Sequence, residues 1–217
     1  MVVQVSPTGS PVRGGHLRIG GSGGAANDTI DPHVGTTNTD FTRLPQIYDV
    51  LVKLKHDASG VNYLLAESIV PNADATKWTI KIRGNAKSHD GNDFGAEDVL
   101  WNFKRIVEGN LTGAVPLGPI DVAASRVVDA KTLELAFKSP FSILVDTLVG
   151  LPYYYMAAKS WTKEKPHGTG PFVLQSFRPG VSSVAKRFDG YWDAGKPYLD
   201  QITVLNMADE TTQVYVK

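Results

Sequence analysis

Apolar residues change their spacing from segment to segment along this chain, and the spacing predicts the elements. Trp78, Ile80 and Ile82 alternate with Thr79, Lys81 and Arg83, the period-two pattern of a half-buried strand, and Asp90 with Gly91 is a turn signal after it. Over residues 95–107 the period becomes helical. Val99, Phe103, Ile106 and Val107 form one stripe, and Glu97 and Asp98 stand in the first turn, where carboxylates suit the positive end of the helix dipole. Leu44, Ile47, Tyr48 and Leu51 recur at i, i+3, i+4 and i+7 and predict another helix, with Pro45 placing its start close by. Phe141, Leu144, Val145 and Leu148 predict a third, ending at Gly150 and Pro152. Strands are expected at 16–20, 125–128, 132–137, 172–177, 181–188 and 201–206, the second and third joined as a hairpin at 129–131. Residues 20–40 read as a glycine-rich, polar loop, and 153–155 as extended chain.

Composition narrows the class. Glycine (21) and proline (13) are frequent for a helical bundle and fall between short strand-like segments, so a strand-rich mixed fold is expected. With 42% hydrophobic residues the chain can bury a core, and its 217 residues have room for one large domain or two small ones. Lys and Arg (22) balance Asp and Glu (22), which leaves no net charge for a nucleic acid to grip. The longest apolar stretch, 141–158, is interrupted by Asp146, Thr147, Gly150 and Pro152, short of the ~18 apolar residues that a membrane helix needs. Cysteine is absent, which excludes disulfides, thiolate metal sites and cysteine nucleophiles. Residues 1–13 read as a flexible leader.

Chemical motifs are few. The run GGSGG at 20–24 fits G-x-S-x-G after a strand, which would make Ser22 a hydrolase nucleophile. That elbow needs a helix directly after the serine, whereas residues 25–32 have no amphipathic period and carry Pro32. The loose dinucleotide pattern at 21–26 fails for the same reason, and no Walker lysine follows the glycines. Residues 90–95 resemble the front of a calcium loop, but Phe94 and Trp101 stand where ligands belong. The histidines (16, 33, 56, 89 and 167) are never paired at helical spacing, so no metal or cofactor is expected. The acidic pairs Glu97-Asp98 and Asp209-Glu210 read as helix starts.

Several blocks occur in an order that resembles the extracytoplasmic solute-binding proteins of peptide, nickel and oligosaccharide ABC importers (family 5, the oligopeptide- or dipeptide-binding type). They are GGHLRIG at 14–20, TIDPH at 29–33 and IYDVL at 47–51, then WTIKIR at 78–83, SHDG at 88–91 and FGAEDV at 94–99 with Arg105, and finally GTGPF at 168–172 and DGYWDAGKPYLD at 189–200. Each block also has a scaffold reading. Gly95 is a tolerable N-cap and Asp98 can reach back to it, while the 168–171 segment turns into a strand.

The resemblance implies an α/β (mixed α+β), periplasmic-binding-protein-like lobe with an inserted subdomain. By that resemblance residues 14–45 and 155–208 form an incomplete first lobe, 46–154 the inserted subdomain and 209–217 the start of a linker to a second lobe, which is missing. It implies a non-enzymatic solute receptor, most readily for a peptide, in the periplasm or anchored at the cell surface, whose partners are the importer's membrane permease subunits. The loop after the first strand and the crossing segment would approach the solute, which points to Asn27, Thr36, Asn38, Thr39, Tyr153 and Tyr154. A cleft that closes over its ligand needs both walls, so one wall alone is expected to bind weakly. The rival readings are a Ser22 hydrolase and a scaffold that recognises no solute.

Overall fold

A computed structural model describes residues 11–207; most of the leader at 1–13, the Asp209-Glu210 pair and the linker at 209–217 lie outside the described residues. In chain order the elements are β1 (His16–Gly21), α1 (Asn38–Ile47), β2 (Asp49–Val50), β3 (Val52–Leu54), β4 (Val61–Tyr63), β5 (Ala66–Pro71), β6 (Lys77–Ile82) and α2 (Ala96–Glu108). After a single helical turn at Val115–Leu117 come β7 (Ile120–Asp129), β8 (Thr132–Phe137), α3 (Leu144–Gly150), β9 (Tyr155–Met156), β10 (Phe172–Arg178), β11 (Ser182–Arg187) and β12 (Gln201–Asn206).

Two four-stranded sheets organise these elements. One has the order β5-β6-β8-β7 and is antiparallel throughout. On β6 the side chains of Trp78, Ile80 and Ile82 are buried while Lys77, Thr79 and Lys81 are exposed, as the alternation requires. α2 lies against β7 and β8 and inserts Val99, Phe103 and Ile106, all fully buried, into the largest core cluster. Complete burial of such a side chain contributes about 1.5–3 kcal/mol, so these three residues tie the helix firmly to the sheet. Asp98 accepts the Gly95 N–H (2.9 Å), which is the reach-back to the cap expected from sequence. The other sheet has the order β1-β12-β11-β10, with β1 parallel to β12 and the remaining pairs antiparallel. It therefore joins a strand from the start of the described chain to three from its end, and α1 packs against it.

Most expected elements are present within a residue or two; α1 is the main correction. Its helix runs Asn38–Ile47 and stops where the apolar spacing had predicted it to continue through Tyr48 and Leu51. The Thr37 hydroxyl accepts the Asp40 N–H and the Asp40 carboxylate accepts the Thr37 N–H (both 3.1 Å), a capping box that starts the helix seven residues before Pro45. Pro45 lies inside the helix without ending it, since the Tyr48 N–H still donates to the Leu44 carbonyl (2.8 Å), and the chain turns extended at Tyr48 (φ −127, ψ 135), just before β2. Leu44, Ile47, Tyr48 and Leu51 are all buried, so the spacing identified core positions while misplacing the backbone. The expected strand at 125–128 is the end of the longer β7, and α3 begins at Leu144, later than its apolar spacing suggested.

Candidate functional site

The loop between β1 and α1 is wound around two buried carboxylates. Asp40 accepts the backbone N–H groups of Thr29 (2.8 Å), Thr36 and Thr37 (each 3.1 Å). Asp28 accepts the Ala25 N–H and the Thr37 hydroxyl (each 2.9 Å), the Thr39 hydroxyl (3.2 Å), and the Gly180 N–H (3.2 Å) from the β10–β11 turn. Arg43, one turn along α1, donates to Asp28 at 2.9 Å. Burial alone would raise the Asp28 carboxyl, but the Ala25 N–H, the Thr37 hydroxyl and Arg43 outweigh it and leave it below its ordinary value.

Behind the same loop a second network ties it to α2. Asp31 makes a two-pronged pair with Arg105 (2.9 and 2.5 Å), and Arg105 also donates to His33 Nδ1 (2.7 Å). His33 Nε2 therefore carries the proton, and it donates to the Tyr155 carbonyl (3.0 Å). The guanidinium lies 4.6 Å from the Trp161 ring, whose indole N–H donates to the Tyr48 hydroxyl (2.9 Å), and that hydroxyl donates to the Ile30 carbonyl (2.8 Å). The TIDPH block and Arg105 thus form one buried scaffold.

The expected site residues separate into two groups. Asn27, Thr36 and Asn38 are exposed on the loop and at the start of α1. Tyr153 is half-buried and meets Phe41, one turn beyond Asn38, edge to face at 6.4 Å. Thr39 is fully buried with its hydroxyl on Asp28, and Tyr154 is 1% exposed with its hydroxyl donating to the Gly113 carbonyl (3.0 Å), so neither side chain reaches the surface. Sequence reasoning passed over Asp28, Asp40, Arg43 and Phe41. A capping signal at Thr37 and Asp40 was the one legible clue; the pairing of Asp28 with Arg43 across a loop leaves no periodic trace.

β1 ends at Gly21 and no helix begins until Asn38, so Ser22 lacks the strand–turn–helix setting of a nucleophile elbow. Another serine has suggestive neighbours: the Ser160 hydroxyl donates to Asp90 (2.6 Å) and lies 3.4 Å from His167 Nδ1. Its proton is directed at the carboxylate, whereas an activated nucleophile would direct it at the imidazole. Asp90 sits well below its ordinary value because hydroxyls of Ser160 and Ser88 and the Asn92 N–H overcome the opposing effect of burial. Ser88, Asp90, Asn92 and Ser160 line a concavity of about 800 Å³ between residues 88–98, the β7–β8 turn and 158–160. Among the described residues no cluster of three or more His, Asp or Glu side chains is arranged to hold a metal ion.

Three titratable groups, His33 and Asp49 buried and His89 partly buried, make stability depend on pH. Burial, and next the Arg105 charge, push the His33 imidazole down to about 4. Burial likewise pushes His89 down to about 4, where its Nε2 donates to the Gly170 carbonyl (2.9 Å). Burial raises Asp49 to about 6 even though the Trp192 indole N–H donates to it (2.6 Å). Below pH 6.5 the unfolded chain binds protons that the folded histidines refuse, so their stabilisation is complete above that pH and is lost toward pH 4. For His33 the loss is on the order of 3 kcal/mol. Asp49 acts oppositely: its folded form binds the proton more tightly, so it destabilises above pH 6 and is relieved on acidification. Asp49→Asn is therefore expected to raise the urea midpoint at pH 8 and to steepen its fall between pH 6.5 and 4.5. A flat midpoint across that window in both proteins would refute the assignment.

Comparison with known proteins defines the class. Residues 60–215 match the model of the bacterial extracellular solute-binding proteins, family 5 (Middle), and the chain belongs to that family. Membership places it outside the cytoplasm, in the periplasm or at the cell surface. It is 31% identical over 193 residues to the glutathione-binding protein GsiB of Escherichia coli strain K12, covering 85% of this chain and 37% of the relative. Among solved structures it resembles the binding protein AgaA in complex with agropinic acid from A. tumefaciens R10, with a TM-score of 0.81 and 29% identity over 92% of this chain and 41% of that one. It also resembles NikA from Brucella suis in complex with Fe(III)-EDTA, with a TM-score of 0.77 and 26% identity over 91% of this chain and 40% of that one. The chain therefore spans about two fifths of the length of the relatives that it matches.

Proposed function

We propose that this chain supplies one wall of the solute site in the binding component of an ABC importer, and that the solute is a peptide or a peptide-like molecule. One observation carries the reading: a loop held rigidly by two buried carboxylates presents the neutral polar side chains of Asn27, Thr36 and Asn38, with the Phe41–Tyr153 aromatic pair one helical turn away. Neutral donors and acceptors match backbone amides, and an aromatic pair suits an apolar side chain. The likeness to a glutathione-binding relative supports the same class, since glutathione is a modified tripeptide. In this proposal the sheet β1-β12-β11-β10 belongs to the first lobe and 46–154 to an inserted subdomain. Permease subunits of the importer are the partners, and the role is binding without catalysis.

A cleft draws affinity from contacts on two walls and from the exclusion of water, so the isolated chain is expected to bind feebly. Titration with glutathione, di- and tripeptides, opines and nickel chelates, followed by amide chemical shifts, tests this. Weak, saturable shifts for peptides confined to Asn27, residues 36–38 and Tyr153 are expected. Micromolar binding by this chain, or peptide-induced shifts confined to the concavity near Asp90 and Ser160, would overturn the proposal.

A further inference from the structure

We infer that Arg43 is the positioning residue of the proposed solute-facing loop: its positive charge lets two buried carboxylates stand ionised side by side, and those carboxylates give the loop its shape. The role of the loop rests on the reading above; the positioning itself is testable without a solute.

Asp28 and Asp40 are 5% and 0% exposed, and Arg43 Nη1 lies 2.9 Å from one carboxylate and 3.5 Å from the other. Among the described residues neither pairs with another cation. Of the elements packed against the cluster, β10 offers the Phe177 ring, 5.4 Å from the guanidinium, and the β10–β11 turn offers the Gly180 N–H. Among the described residues Arg43 Nε and Nη2 are buried without a hydrogen-bond partner. Each such donor costs about 1–3 kcal/mol, so an arginine serving only as filler would be worse than a methionine of similar volume. What the arginine adds is its charge. Without it two adjacent buried carboxylates repel; at high pH that repulsion is relieved by opening the loop that holds them, whereas at lower pH one of them takes up a proton and the loop stays closer to its shape.

Hydrogen exchange of the whole chain, corrected for intrinsic rates and compared at pH 5.5 and 8, tests the inference in R43M, R43K and R43M/D28N. In R43M the amides of Ala25, Thr29, Thr36, Thr37 and Gly180 are expected to lose about tenfold or more of their protection at pH 8, less at pH 5.5, with β6 unchanged. R43K is expected to keep most of the protection. R43M/D28N, with one carboxylate fewer, is expected to regain protection at Thr29, Thr36 and Thr37, whose N–H groups Asp40 accepts, and to lose the pH dependence, a rescue that a packing role for Arg43 would not produce. Ala25 and Gly180 are left out of this comparison because they use the two oxygens of Asp28, of which an asparagine keeps one. Wild-type protection in R43M at both pH values, or no gain in R43M/D28N, would overturn the inference. Should R43M fail to fold, a folded R43M/D28N supports it and an unfolded one overturns it. Exchange as expected, with no peptide-induced shifts in the titration above, would refute the solute-facing reading alone.

Discussion

Gly168→Ala is expected to destabilise the protein by about 3 kcal/mol, because the added methyl group overpacks against backbone that cannot move aside. A Cβ at this position would collide with the Ile47 carbonyl oxygen and the Tyr48 ring. The turn is held on every side. The Gly168 N–H donates to His89 Nδ1 (3.2 Å), the Thr169 hydroxyl donates to the Met156 carbonyl (2.9 Å), and the Gly170 N–H donates to the Ile47 carbonyl (2.9 Å). Relaxing the clash would separate the end of α1 from residues 168–170 and break bonds at both. For a chain of this size a melting point about 10 °C lower follows, readable by circular dichroism. Gly150→Ala is the control, since an added Cβ there meets nothing within 4 Å, and it should change stability by no more than about 0.5 kcal/mol. Equal melting points for the two variants would show that the GTGP block is conformationally free.

Arg105→Ala is expected to cost about 2–3 kcal/mol at pH 8, below the roughly 3–5 kcal/mol for one partner of a fully buried ion pair because the Arg105 side chain is 22% exposed. Asp31, 5% exposed, would lose its two-pronged partner, His33 would lose a donor, and Trp161 would lose the guanidinium packed on it. The pH dependence of this loss distinguishes electrostatics from packing. In the wild type His33 is held low by burial and by Arg105, so acidification removes stability. With Arg105 gone, the imidazole faces an unpaired Asp31 carboxylate, which favours its protonation. The deficit of the variant relative to wild type should therefore shrink between pH 8 and pH 5 in urea titrations. A deficit independent of pH would mean that the guanidinium matters mainly as apolar bulk.

The parts of the fold that were legible in the sequence are those where one element's own periodicity decides its burial. Trp78, Ile80 and Ile82 on β6 and Val99, Phe103 and Ile106 on α2 could be read directly, because alternation in a strand and a stripe on a helix are local geometric facts. The short strands β2 to β4 and the longer β5 were missed, since pairs such as Asp49 with Met156 and Val52 with Tyr63 are set by the partner strand and leave little pattern of their own. α1 was misplaced because its apolar spacing continues past the helix into extended chain, while the signal that begins it, Thr37 with Asp40, is polar. In the candidate site, Asn27, Thr36 and Asn38 were singled out by resemblance and lie exposed, whereas Thr39 and Tyr154 are turned inward by hydroxyl bonds to Asp28 and Gly113 that no linear spacing reveals.

By itself, then, the sequence determined the class: ordered blocks of residues carry the family, and the two periodicities carry the central helix and sheet. Tertiary structure alone decided which residues face outward from the loop after β1 and which hold it in place. Asp28 meets Arg43 and Gly180, and Asp31 meets Arg105, across 15, 152 and 74 residues of chain. Buried charges must find partners wherever the fold brings them, so the identity of each partner is a property of the packed chain.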